Sequence, residues 1–387
     1  MRRVWVKKVK GSRWLLVLAL LAITAVFAAG CGGDDDDDSA SQGAVQEPAA
    51  EEPAPEEPAA EEPAPEEPAA EEPAPEEPAA EEPVELADVT YQLGWLADNG
   101  VLGEVVAKRM GWYEEEGIVL KIDPGGPSID GVAQVASGRA LIGQLSSSPS
   151  AMLAVSQGIP LQVFAVGTPE HPYAFFSKGD TPLDSPQDMR GLVVGTQATG
   201  VILVEALLAA NGMTRDDLGS LETVGGDITP LLTDQVDVFT GWVTNVGQLS
   251  QVPDRNTLRL WDAGVPLYAH IYYAATDTIG NNPEVLAGWL RATARGWKFA
   301  TENPEEAVQM LIDEYPDLEF ESQLAGAQIL LGIKENAGVD ALGGFGWFDL
   351  DVWQEQIDRW DNLGQFDADA PALDSVVTTA ILEAADR

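Results

Sequence analysis

Apolar and polar positions alternate in two rhythms from Val89 onward, and the switching between them predicts an α/β architecture. Short apolar runs predict strands at 90–95, 118–122, 140–145 and 160–166. Helical patterns lie between them: one ends near Glu115 to Gly117, one spans about 130–137, and one runs to Gln157 from a serine cap at Ser146 to Ser148. Gly117 suits the left-handed position that closes a helix. Four strands separated by helices predict a parallel sheet. Residues 172–191, with Pro172, Pro182 and Pro186, interrupt the rhythm and read as a crossing between lobes. Strands are then predicted at 191–196, 221–224, 236–241 and 257–260, with a helix at 201–210 closed by Asn211-Gly212. A second crossing at 265–275 leads to helices at 283–301, 304–314, 319–336 and 349–363. Two crossings imply two lobes, and the loops after the strands would converge on the cleft between them.

The first 87 residues follow neither rhythm. Arg2, Arg3, Lys7, Lys8, Lys10 and Arg13 precede the apolar run 14–27, and small residues then lead to Cys31, the only cysteine. That order reads as an export signal, too short for a comfortable transmembrane helix. The sequence Ala28-Ala29-Gly30-Cys31 resembles a bacterial lipoprotein box, in which the cysteine becomes the first mature residue and carries the lipid; Ala28 stands where such boxes usually have leucine. From Glu51 to Ala80 the decapeptide Glu-Glu-Pro-Ala-Pro-Glu-Glu-Pro-Ala-Ala repeats. It has almost nothing apolar to bury and closely spaced prolines, so a disordered, extended tether is expected. The expected organisation is a signal peptide at 1–30, a lipidated Cys31 and tether at 31–87, lobe 1 from 88–171 and 268–387, and lobe 2 from 172–267.

Charge narrows the partners. Residues 88–387 carry 43 acidic and 15 basic side chains, a net of −28. Such a surface repels nucleic acid and anionic headgroups, and its plainest consequence is solubility. A single cysteine excludes an intramolecular disulfide framework, so an exported fold must stand on its own core.

The succession Leu93-Gly-Trp95, then Ala107-Lys-Arg-Met-Gly-Trp-Tyr-Glu-Glu-Glu-Gly117, then Pro124-Gly-Gly-Pro127, Val135-Ala-Ser-Gly138 and Ile142-Gly143 resembles the periplasmic binding proteins of the nitrate/sulfonate/taurine and thiamine-pyrimidine class. The likeness continues more weakly through Trp242-Val-Thr-Asn245 and covers about 88–387. It implies a two-lobed α/β periplasmic-binding-protein type II fold, monomeric, that hands a small molecule to an ABC permease. A non-transport ligand sensor on the same fold stays open. So does a pyrimidine synthase of the same superfamily, although those enzymes carry a cysteine-rich motif that this chain lacks.

The chain contains no P-loop, no His-Glu-x-x-His and no Gly-x-Ser-x-Gly. Asp34 to Asp38 lack the spacing of a calcium loop. No catalytic residue, metal site or cofactor is expected, and His171 and His270, at the two crossings, read as structural or supporting residues. The loops expected at the strand ends contain no lysine or arginine. They do contain Trp95 and Trp242, one in each lobe, with Asp98, Asn99, Ser146, Ser147, Thr196, Gln197, Thr199 and Asn245. Two indoles facing across a cleft would sandwich a flat ring, each stack adding about 0.5–1.5 kcal/mol beyond burial. Amides and hydroxyls would read the ring's edge. A vitamin-like heterocycle is therefore expected, riboflavin first, with Tyr268, Tyr272 and Tyr273 as partners for its ribityl chain, and a thiamine-type pyrimidine second. Nitrate, sulfonate or taurine is the alternative, held by helix N-terminal amides near Ser146 to Ser148 and Thr199-Gly200. Trp289, Trp297, Trp353 and Trp360, at helical spacings, read as core.

Overall fold

A computed structural model of the chain describes residues 86–338 and 343–386. The signal peptide, Cys31 and the Pro/Glu-rich tether lie outside the described residues.

Two five-stranded sheets organise the fold. The first has the order β2-β1-β3-β10-β4, from β1 (Ala87–Gln92), β2 (Ile118–Asp123), β3 (Ile142–Ser147), β4 (Leu161–Thr168) and β10 (Ala269–Ala275). The second has the order β7-β6-β8-β5-β9, from β5 (Tyr173–Lys178), β6 (Val193–Thr196), β7 (Ser220–Thr223), β8 (Val238–Trp242) and β9 (Arg255–Arg259). Residues 169–172 and 260–268 connect them.

The burial pattern explains why these segments are strands. On edge strand β2, Ile118 and Leu120 are buried while Val119 and Lys121 face water. Interior strand β10 is buried on both faces almost throughout, as a strand covered by helices on two sides must be, and edge strand β4 is as buried because the Val163–Val377 and Val166–Gly346 bridges cover its outer side. On β5, Tyr173 and Phe175 join the large core, whereas Ala174 and Phe176 pack with Ile228, Leu231, Val236 and Phe239 on the opposite face.

Three expectations need correction. The segments read as crossings contain β5 and β10, so the connections are shorter and lie just ahead of those strands. Neither sheet is all-parallel: β10 runs antiparallel to β3 and β4, and β5 runs antiparallel to β8 and β9. Each chain passage into a lobe enters as the reversed strand of that sheet, which merges connection and strand into one apolar stretch. The first strand also begins and ends earlier than expected, freeing Trp95 for the loop after it.

C-terminal helices cover the first sheet. Pro283–Glu302 packs against Leu102–Arg109 through paired glycines: a Cβ on Gly296 would overlap the Gly103 carbonyl, and one on Gly103 would enter the Trp297 ring. Beneath them the Glu104 carboxylate, fully buried, accepts from the Tyr272 hydroxyl at 2.7 Å and the Tyr91 hydroxyl at 3.1 Å. Burial pushes its pKa up, and burial holds nearby Lys334 down to about 7. The Lys334 ammonium lies 3.8 Å from the centre of the Trp297 ring and donates to the Gly167 carbonyl.

Candidate functional site

The strand ends of both sheets converge on one cavity of about 300 Å³. From the first sheet come Trp95 and Asp98 after β1, Asp130 after β2, and Gln144 with Ser146 and Ser147 on β3. From the second come Tyr173 on β5, Gln197 and Thr199 after β6, and Trp242 with Asn245 at the end of β8. No lysine or arginine is among the described residues that line it.

Eight of the ten residues singled out from the sequence line this space: Trp95, Asp98, Ser146, Ser147, Gln197, Thr199, Trp242 and Asn245. The other two stand behind it. Asn99 is buried, and its backbone N–H donates to Gln323 Oε1 at 2.8 Å while its side-chain amide donates to the same atom at 3.2 Å. The Thr196 hydroxyl is fully buried and shares hydrogen bonds of 2.8 Å with the hydroxyls of Tyr173 and Thr240. Both build the wall that positions their neighbours. Of the tyrosines suggested for a ribityl chain, Tyr272 is spent on Glu104 and Tyr268 lies 5.6 Å, ring centre to ring centre, from Trp353; neither they nor Tyr273 line the cavity.

The tryptophans divide by environment. Trp289, Trp353 and Trp360 are fully buried, and Trp289 packs among Tyr91, Tyr113, Phe164 and Tyr272. Trp95 and Trp242 are half-buried on the cavity wall. Trp242 is held by two imidazoles, with ring centres 5.4 Å from His171 and 5.0 Å from His270. A Cβ on Gly226, in the second lobe, would sit 3.9 Å from Trp95 Cζ2, so the two lobes nearly touch at this indole.

Both histidines line the cavity, a role the sequence reading did not give them. Burial lowers the His171 pKa to about 3 and pushes that of His270 well down, so both are neutral near pH 7. The Tyr173 backbone N–H donates to His171 Nδ1 at 3.1 Å, which leaves the imidazole proton on Nε2. His270 Nδ1 pairs with the Thr168 hydroxyl at 2.8 Å, and its backbone is left-handed with φ 49°. A histidine adopts that conformation at a cost of about 1–2 kcal/mol.

Asp98 carries the cavity's main electrostatic feature. Its Oδ1 accepts from the Gly100 N–H at 2.7 Å, but burial dominates and raises its pKa to about 6. Asp130 Oδ1 accepts from the Ala133 N–H at 2.9 Å as an N-cap. Two carboxylates and no cation favour ligand groups that donate hydrogen bonds over anions. Among the described residues no cluster of histidine, cysteine and carboxylate side chains could hold a metal ion.

A cleft between two mixed sheets, walled by the loops of both, defines the class: a two-lobed α/β fold of the periplasmic-binding-protein type. The chain belongs to the NMT1/THI5-like family, whose model matches residues 99–307. It is 28% identical over 280 residues to the riboflavin-binding protein RibY of Chloroflexus aurantiacus, covering 69% of this chain and 78% of that one. It is 28% identical over 270 residues to a formylaminopyrimidine-binding protein of Halalkalibacterium halodurans, covering 66% and 79%. A 4-amino-5-hydroxymethyl-2-methylpyrimidine phosphate synthase of Legionella pneumophila is 27% identical over 244 residues, covering 59% and 74%. Among solved structures, the periplasmic aliphatic sulphonate binding protein SsuA of Escherichia coli superposes with a TM-score of 0.58 at 16% identity, covering 76% of this chain and 92% of that one, which shows the shared fold.

Proposed function

We propose that the chain captures a flat, uncharged nitrogen heterocycle in this cleft, as the lipid-anchored receptor of a membrane permease, and that it acts as a carrier rather than an enzyme. The observation that carries this is the cavity wall: Trp95 and Trp242, from opposite sheets, share one cavity with hydroxyl, amide and carboxylate groups and, among the described residues, no lysine or arginine. Stacking supplies affinity for a ring, and the polar groups supply orientation. Relatives that bind riboflavin and formylaminopyrimidine support the same ligand class. A cavity of about 300 Å³ stands at the small end of ligand sites, which span about 300–1,000 Å³. That favours a single-ring, thiamine-type pyrimidine over riboflavin unless the lobes part further. Cys31 would tie the domain to the extracytoplasmic face of the membrane, with the tether setting its reach.

Titration of the full chain with riboflavin, with 4-amino-5-hydroxymethyl-2-methylpyrimidine, and with taurine and nitrate tests the ligand class. Saturable quenching of tryptophan fluorescence by a heterocycle is expected; a response confined to taurine or nitrate overturns the assignment. Replacing Cys31 by Ala should move the protein from the membrane to the soluble fraction.

A further inference from the structure

Gln144 sits in the middle of β3, flanked by β1 and β10, and is 4% exposed. It lines the cavity, and its Nε2 has no hydrogen-bond partner among the described residues. Three other amides around the cleft are spent, while His171 Nε2 on the same wall is, like Gln144 Nε2, without a partner among the described residues. Gln92, equally buried on β1, donates to the carbonyls of Leu93 and Pro124 at 3.1 and 2.8 Å. Gln197 donates to the Thr240 carbonyl at 3.1 Å, and Asn99 is committed to Gln323. A buried amide left unpaired is costly, so one on a cavity wall marks a place where a bound molecule, with a small turn of the side chain, can complete it.

We infer that Gln144 reads the polar edge of the bound ring, and that the cleft thereby selects heterocycles carrying a hydrogen-bond donor beside an acceptor. This rests on the proposed function and narrows it. A primary amide presents Oε1 and Nε2 side by side, so its full complement is an edge of the same kind: a lactam or imide N–H next to C=O, or a ring nitrogen next to an exocyclic amine. Sulfonates and nitrate offer acceptors alone and leave Oε1 without a donor. The Asp98 carboxylate on the same wall adds a further acceptor for an exocyclic amine or ring N–H.

The test uses the full chain, the variants Gln144→Met and Gln144→Glu, and paired probes: riboflavin against N3-methylriboflavin, and 4-amino-5-hydroxymethyl-2-methylpyrimidine against its 4-dimethylamino analogue. The wild type should bind the unblocked member of a pair at least tenfold more tightly. Gln144→Met, similar in shape and without the amide, should bind both members alike, at the blocked member's affinity. Its unliganded thermal midpoint should equal or exceed that of the wild type, because an unpaired buried amide has gone. Gln144→Glu, which keeps the shape and swaps the donor for an acceptor once its carboxyl is ionised, should also lose the preference when binding is read at pH 9. A Met or Glu variant that folds and keeps the wild-type preference overturns the inference. A wild type that binds taurine or nitrate and no heterocycle overturns the proposed function beneath it, a distinguishable result.

Discussion

Asp98 concentrates the cost of keeping a polar cavity inside a protein. Its pKa in the fold, about 6, stands above the ordinary 3.8, so between these values the folded chain holds the proton more tightly than the unfolded chain. Stability therefore falls as pH rises from about 4 to about 6 and stays lowered above that window. A shift of two units corresponds to about 3 kcal/mol at full burial, and partial exposure to cleft water brings the expected effect to about 1–2 kcal/mol. Asp98→Asn keeps an acceptor for the Gly100 N–H without the charge. Denaturant unfolding of that variant at pH 7 should show a gain of about this size, and the slope between pH 4 and 6 should flatten. The tryptophans make the opposite case. Trp95→Ala should cost little stability and Trp242→Ala more, because that indole also packs on the core and on both imidazoles; each should weaken heterocycle binding by about tenfold or more, read by calorimetry.

Phe320–Asn336 reaches both lobes, which makes the helix an element with a function as well as a place in the layer. Gln323 on it accepts from Asn99 beside the first-lobe wall. One residue before and three residues after Gln323 the helix meets the second lobe, where a Cβ on Gly247 would overlap Ser322 and a Cβ on Gly326 would overlap the Thr244 carbonyl as well as the Asn99 amide of the first lobe. Gly326 is therefore a spacer whose missing side chain lets the lobes approach. Gly326→Ala removes that clearance at an overpacking cost of about 1–3 kcal/mol. If the strain falls on lobe contact, ligand affinity should drop by about tenfold while the first lobe's helices stay intact; calorimetry and circular dichroism on the same sample separate the two. Gly296→Ala acts elsewhere, at the crossing of Pro283–Glu302 and Leu102–Arg109. There the clash is with backbone, and a loss of about 2–3 kcal/mol in stability is expected from denaturant titration.

The same scale shows what the sequence could and could not reveal. The long helices after residue 282 were legible because their apolar stripes repeat at helical spacing and proline opens two of them. β5 and β10 were not, because prolines flank the first and tyrosines with a histidine fill the second. Local pattern carries no information on which neighbour a strand chooses, so their antiparallel insertion stayed hidden. Loops at strand ends pointed to most of the cavity wall. Gln144 and the two histidines escaped because they lie within or beside strands, where a polar residue on a buried face is the one signal available: Gln144 alternates with Ile142, which is fully buried.

At the scale of the whole molecule, two sheets joined by residues 169–172 and 260–268 can move as bodies only if those connections flex. Each connection is anchored close by. Gly167, ahead of the first, accepts from Lys334, and Thr168 holds His270 at the start of β10, just after the second. Such anchors confine rotation to a few residues and turn it toward the opposite side, where Trp95 and the Gly226 loop nearly meet. A ligand stacked between Trp95 and Trp242 touches both bodies at once, so it binds the closed arrangement better than the open one and shifts the population accordingly. The distance between the lobes is read between two labels placed on the exposed positions Val119 and Leu232, one in each lobe and both away from the cavity wall. Adding a saturating heterocycle should shorten and narrow that distance distribution, and Gly326→Ala should broaden it again at the same ligand concentration. An unchanged distribution on saturation would mean that the cleft is fixed and that binding does not depend on lobe closure.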